Sequence, residues 1–194
     1  MEAFFGQFAL GMLQSTFALF GEAVIFQGYS QQATKLGVGL LFSVVGVSQV
    51  ITQTFILRRM VKRYSTAGLV MIGSVLRMIG MFLFAVAVSP WLAVIPLILF
   101  PLGLGITMPA LQSLGTETVT DEVRGGVLGL YQSTVSLATI FSTALGGVLF
   151  AVTPATPYWV GGVLSAVIII PTLYLWQQHS RPKDIEGGMT PSKI

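Results

Sequence analysis

A chain of 194 residues that is 54% hydrophobic and only 9% charged is not built for water, since soluble domains carry about 25% charged residues. The net charge of +3 does not point to nucleic acid, because the basic residues cluster beside the ends of apolar runs. There is no cysteine, which excludes disulfides and thiol chemistry.

Six apolar runs follow one another, each long enough to cross a bilayer, which takes roughly 20 residues. They cover about residues 3–27, 36–57, 66–88, 91–114, 125–152 and 158–176. The start, Met1-Glu2, has no basic region, and the first run exceeds the apolar part of a signal peptide, so it is expected to stay as the first crossing. Residues 1–176 therefore read as one all-α transmembrane domain. Residues 177–194 are polar, contain Pro and Gly, and are expected to form a disordered cytoplasmic tail; the single histidine, His179, lies there.

The first crossing is the most polar, with Gln7, Gln14, Ser15, Thr16 and Glu22. Gln7 and Gln14 share a face, as do Ser15 and Glu22. Polar side chains in lipid are costly and face protein or a water-filled cavity. Gln14 and Glu22 therefore read either as substrate-facing or, for the glutamines, as hydrogen-bonding to neighbouring helices. Glu22 is the one carboxylate well inside a predicted crossing, where it can carry a proton. Alternatively the helix ends sooner and Glu22 sits at the outer interface.

The second crossing carries Ser43, Gln49, Thr52 and Gln53 and ends on Arg58, Arg59, Lys62 and Arg63. Arg77 lies near the middle of the third crossing, about eleven residues from its basic end, too far to snorkel. It needs a partner, and Glu22 is one candidate at an ill-matched depth; a structural role against a neighbouring helix is expected. In the fourth crossing Pro96, Pro101 and Pro109 interrupt the hydrogen-bond ladder, with Gly103 and Gly105 between them. Such a helix either rocks or is shaped to pack. Gln112 near its end is a candidate cavity residue.

Glu117, Asp121, Glu122 and Arg124 form a short charged loop that feeds the uncharged fifth crossing. There Ala138, Ser142 and Gly146 are spaced by four, a small-residue face on which another helix can pack closely in lipid. The acidic residues of the loop are candidate partners for Arg58, Arg59, Lys62 and Arg63 in a gate; the alternative is that these cations set topology and meet anionic lipid heads. Arg124 and the tail residues Arg181, Lys183 and Lys193 fall on the same side as that cluster, and the opposite side has only Lys35. Both termini are expected in the cytoplasm.

A repeat shows at an offset of 90 residues: Gly39-Leu40 matches Gly129-Leu130, Ser43 matches Ser133, and Val47 and Thr52 match Leu137 and Ser142. Because three crossings are an odd number, the two copies must be inverted in the membrane, as in secondary transporters.

The run MPALQSLGTETVTDEVRGGVLGLYQSTVSLATIFSTALGGVLF resembles helices 10 and 11 of the major facilitator superfamily. The matching elements are Gly103, Gly105, Pro109, Arg124-Gly125, Gly129, Gln132-Ser133, Ser136-Leu137 and Gly146-Gly147. The stretch FILRRMVKRYSTAGLVMIG is similar to the loop between helices 8 and 9 of that family, without the Asp and second Gly of the fuller signature, as befits a C-terminal half. The pattern covers about residues 4–176, with a drug/proton-antiporter flavour.

The resemblance implies a six-helix half bundle with an inverted three-plus-three repeat. Its first and fourth helices line a central cavity, its second and fifth meet the other half, and its third and sixth are peripheral. It implies a half-size transporter in the cell membrane, moving a small molecule by alternating access as a homodimer or with a separate N-half-like chain. Gln14, Glu22, Gln7 and Gln112 are then the substrate and coupling residues, and Ala138, Ser142, Gly146, Gln49 and Gln53 the half-to-half interface. A non-transporting accessory subunit and a truncated twelve-helix remnant are the alternatives.

No enzyme, metal or cofactor is expected. There is no intramembrane histidine, no H-E-x-x-H, no G-x-S-x-G and no P-loop, and Met108-Pro109-Ala110 lacks the Asn of a water-channel triplet.

Overall fold

The computed structural model describes residues 2–117 and 120–179. It contains six helices: α1 Glu2–Ile25, α2 Gln31–Met60, α3 Thr66–Ala85, α4 Pro90–Glu117, α5 Asp121–Val152 and α6 Thr156–His179. No strand occurs among the described residues. Helices α1 to α5 are long and apolar enough to cross a membrane. The 24 residues of α6 span about 36 Å at 1.5 Å each, beyond the ~30 Å of a bilayer core. The expected tail lies outside the described residues from 180 onward.

Local chemistry sets most of the boundaries. Gly28, at φ +88, takes the left-handed turn that a side chain would oppose and brings the chain from α1 into α2. Ser30 caps α2 by accepting from the Ala33 N–H at 3.3 Å, so α2 starts five residues before the expected 36. Ser65 caps α3 in the same way, accepting from Gly68 at 3.2 Å. Pro90 opens α4, where its missing N–H is no loss. Asp121, Glu122 and Arg124, expected in a loop, lie in the first turn of α5.

Two π-helical turns interrupt the α-helical register, Gly21–Ile25 at the end of α1 and Thr52–Ile56 within α2.

The principal pairings are α1 with α5 and α6, α4 with α2 and α3, and α3 with α6. Exchanging α1–α3 for α4–α6 leaves this set unchanged. In the most apolar stretch of α1, α3 and α4, 56% of residues are buried, against 11% in α2 and 17% in α5. The bundle is thus closed on one side and open along α2 and α5. Helix α3, placed at the periphery by the resemblance, is as deeply packed as α1 and α4. Gly73 and Gly103 let the α3 and α4 backbones touch, with no room for a Cβ on either side.

An aromatic cluster closes the core. The rings of Phe17 and Phe84 stack at 5.6 Å, and Tyr158 sits edge-on to Phe20 and Phe84 at 4.8 Å each. The buried Tyr158 hydroxyl lies 3.0 Å from the Thr16 hydroxyl, which itself donates to the Met12 carbonyl at 2.7 Å. Thr16 has one hydroxyl proton, so Tyr158 supplies the one between them.

The small-residue face of α5 does receive a close helix, but that helix is α1 of the same chain. Ala138 and Ser142 are fully buried. Gly11 backs onto Ser142, and Gly146 onto Ser15 and Met12. The expected half-to-half surface on Ala138, Ser142 and Gly146 is therefore corrected: these residues hold the half together.

Candidate functional site

A cleft of about 250 Å³ opens where α1, α2 and α4 converge. Helix α1 contributes Gln14 and, one turn on, Phe17. Helix α2 contributes Phe42 and Gln49, two turns apart on one face, and α4 contributes Leu97, Phe100 and Pro101. The Phe17 and Phe42 rings meet at 4.4 Å between α1 and α2. Pro101 has no N–H to return to the Leu97 carbonyl, and both residues line the cleft, so a break in the α4 ladder falls at its wall.

Chemically the site offers two uncharged carboxamides, each both donor and acceptor, among aromatic and aliphatic walls. Complete small-molecule sites run to about 300–1,000 Å³ with a few placed polar groups in an apolar lining. The cleft has that composition at a smaller volume. No group of three His, Asp or Glu suited to a metal ion occurs among the described residues.

The structure distributes the sequence-derived candidates differently. Gln14 lines the cleft, and Gln49, expected at the interface, faces it from α2. Gln7 points elsewhere, donating to Thr139 Oγ1 at 3.2 Å across α1 and α5, so it is a helix-to-helix clasp. Gln112 lies beside Tyr131 where α4 meets α5, away from the cleft. Gln53 is exposed next to Gly105. Glu22 is exposed in the π turn that ends α1, so it is at the end of the crossing rather than within it. Arg58, Arg59, Lys62 and Arg63 are exposed at the end of α2 and make no ion pair with Glu122 among the described residues. The side chains of Glu117 and Asp121, the other gate partners considered, lie outside the described residues.

Behind the cleft sits Arg77, only 1% exposed. Its partner is Glu2, not Glu22: Arg77 Nη1 is 3.6 Å from Glu2 Oε1. The Ser74 hydroxyl is 2.8 Å from the same oxygen. Gly6 leaves space for the guanidinium where a Cβ would collide with it. The Phe100 ring, a cleft wall, lies 5.9 Å from Arg77 Cζ, within cation–π range. Sequence reading placed Glu2 outside the first crossing, but the helix starts at Glu2, at the level of Ser74 and Arg77.

The aromatic walls were missed as well. Helical spacing carries the signal, because Phe17 follows Gln14 by three and Gln49 follows Phe42 by seven.

Residues 3–191 match the family model described as the Major Facilitator Superfamily. Over 168 residues the chain is 25% identical to the tetracycline resistance protein, class H, of Pasteurella multocida, covering 84% of this chain and 41% of that protein. It is 27% identical over 177 residues to the class C tetracycline resistance protein of Escherichia coli, covering 89% and 43%. A third relative, the magnetosome protein MamH of Paramagnetospirillum magneticum, is 26% identical over 184 residues, covering 92% and 41%. The chain thus spans less than half the length of these curated relatives.

Proposed function

The chain belongs to the Major Facilitator Superfamily, and we propose that it forms one half of a membrane transporter that moves a small, mostly apolar organic molecule by alternating access. The observation that carries this is the cleft between α1, α2 and α4, with Gln14 and Gln49 on facing walls. Its modest volume suits half of a site completed by a second bundle. The tetracycline resistance relatives support a drug-like cargo. On this reading the chain has no catalytic group.

The second half is a second copy of this chain or a separate N-half-like chain. The pairing surface moves from Ala138, Ser142 and Gly146 to the open faces of α2 and α5. On α2 these are Gly39, Gly46 and Val50; on α5, Gly129, Ser136 and Ile140, all exposed. Gly39, Gly46 and Gly129 have nothing within 4 Å of where a Cβ would stand. The two triplets correspond residue by residue at the 90-residue offset, and the symmetric helix pairings also support an inverted repeat. Small residues at these positions admit a neighbouring helix. The α2 end bearing Arg58, Arg59, Lys62 and Arg63 sits at the cytoplasmic face of the cell membrane, with both termini on that side.

The test is the mass of the purified protein in mild detergent by native mass spectrometry, followed by flux in proteoliposomes. A discrete dimer with flux that falls in Gln14→Ala and Gln49→Ala supports the reading. A monomer with no flux, alone or with its co-purifying partner chain, overturns it.

A further inference from the structure

A second concavity, of about 560 Å³, also lies between α2 and α4 and shares no lining residue with the cleft. Its walls include Leu40, Val47, Ile51 and Ile56 of α2 and Ile98 and Leu102 of α4. At 100° per residue, Val47 stands roughly 160° round the helix from Gln49. A molecule in this groove does not compete for the cleft.

The π turn at Thr52–Ile56 determines what lies at the end of the groove. In an unbroken α-helix, Ile56 would fall about 140° round from Ile51 and leave the groove face. Here the Leu57 N–H bonds to the Thr52 carbonyl, so five residues span about one turn and Ile56 stays on the groove side. The same register carries Arg59, one turn further on, to the continuation of that face, and Arg63 follows in the turn that closes α2 after Met60. Arg59, Lys62 and Arg63 border one surface hollow there. All three are exposed, and none has an ion-pair partner among the described residues.

An apolar groove that ends on unpaired cations matches a molecule with an apolar chain and an anionic head. From Val47 to Ile56, nine residues, is about 13.5 Å along the helix, close to half of the ~30 Å hydrocarbon core. We infer that this groove is a binding site for an anionic phospholipid, with one acyl chain along Val47, Ile51 and Ile56 and the phosphate on Arg59 and Arg63. The inference rests on the membrane-spanning fold and not on transport.

The experiment is native mass spectrometry of the detergent-purified chain titrated with phosphatidylglycerol or phosphatidylcholine. Phosphatidylglycerol should be retained in preference, at one molecule per chain. Arg59→Gln with Arg63→Gln should lower its retention about tenfold or more, since each basic side chain near an anionic surface matters individually. Val47→Trp, which fills the groove, should lower retention of both lipids. Far-UV circular dichroism checks that each variant folds, and Ser48→Leu, a smaller filling on the same wall, replaces Val47→Trp if that variant does not. Undiminished phosphatidylglycerol retention in the groove-filling variant would mean surface attraction only and overturn the site. A groove-filling variant that alters chain association and leaves lipid retention unchanged would make the groove a protein contact and likewise overturn the lipid site. Equal retention of the two lipids, or no loss in the Arg59/Arg63 variant, also overturns it.

Discussion

Glu2, partly exposed, and the buried Arg77 form an ion pair, 3.6 Å between Oε1 and Nη1, that ties the start of α1 to the middle of α3. The pair is a packing unit as much as an electrostatic one. Gly6 makes way for the guanidinium, Gly103 for its stem, and Ser74 holds the carboxylate at 2.8 Å. Arg77 Nε and Nη2 have no hydrogen-bond partner among the described residues, so the charge leans heavily on Glu2.

Removing one member of such a pair strands a buried charge, whereas removing both does not. Glu2→Gln should therefore destabilise the bundle by about 3–5 kcal/mol, and Glu2→Gln with Arg77→Met should recover most of that loss. Unfolding midpoints in detergent for the two variants decide it. Equal destabilisation by both would mean that Arg77 acts through its packing alone.

A second pair predicts an asymmetry. The Thr16 hydroxyl donates its one proton to Met12 at 2.7 Å, which leaves Tyr158 to donate across the 3.0 Å between the two hydroxyls. Tyr158→Phe removes a donor and leaves Thr16 still bonded, at a cost of about 0.5–1.5 kcal/mol. Thr16→Val leaves the Tyr158 hydroxyl without an acceptor in a core that is 0% exposed, which costs about 1–3 kcal/mol. The same melting measurement should rank Thr16→Val as the worse of the two, and the reverse order would refute the assigned proton.

The cleft makes a functional prediction. Gln14 and Gln49 are its two carboxamides, and neither is buried. Their replacement by Ala should change stability little while weakening cargo binding by about 1–3 kcal/mol each if the cargo bonds them. Gln7→Ala should do the opposite, because Gln7 clasps Thr139 outside the cleft. Binding or flux measured beside melting temperature separates these outcomes.

What the sequence made legible was whatever depends on one helix at a time. Hydropathy located all six helices, five of them long and apolar enough to cross a membrane, and the basic run at Arg58–Arg63 marked a helix end. Which faces meet depends on how helices rotate against one another, and one-dimensional spacing does not encode that. The stripe Ala138–Ser142–Gly146 correctly announced a close helix without saying that the helix was α1. Glu2 was missed because a charge at a helix start reads as solvated; only the depth at which α1 packs on α3 makes it the partner of a buried arginine. The π turn at Thr52–Ile56 left no mark in the residue types, yet it turns Arg59 and Arg63 by a fraction of a turn.

The last prediction separates the two small-residue faces of α5. Ser142 is fully buried against α1 with Gly11 on its hydroxyl, so Ser142→Leu forces extra methyl groups into a closed contact. Overpacking of this kind costs about 1–3 kcal/mol and should appear as a lower melting temperature of the isolated half. Gly129 faces open space, so Gly129→Leu removes a helix-interior glycine and should leave the half at least as stable, glycine being about 1 kcal/mol less favourable than Ala there. If that face receives the second half, the added side chain holds the two backbones apart, and dimer or heterodimer mass should give way to monomer without loss of helicity. Size-exclusion chromatography with light scattering on both variants reads both effects together. A Gly129→Leu protein that associates like the parent would move the pairing surface off this face of α5.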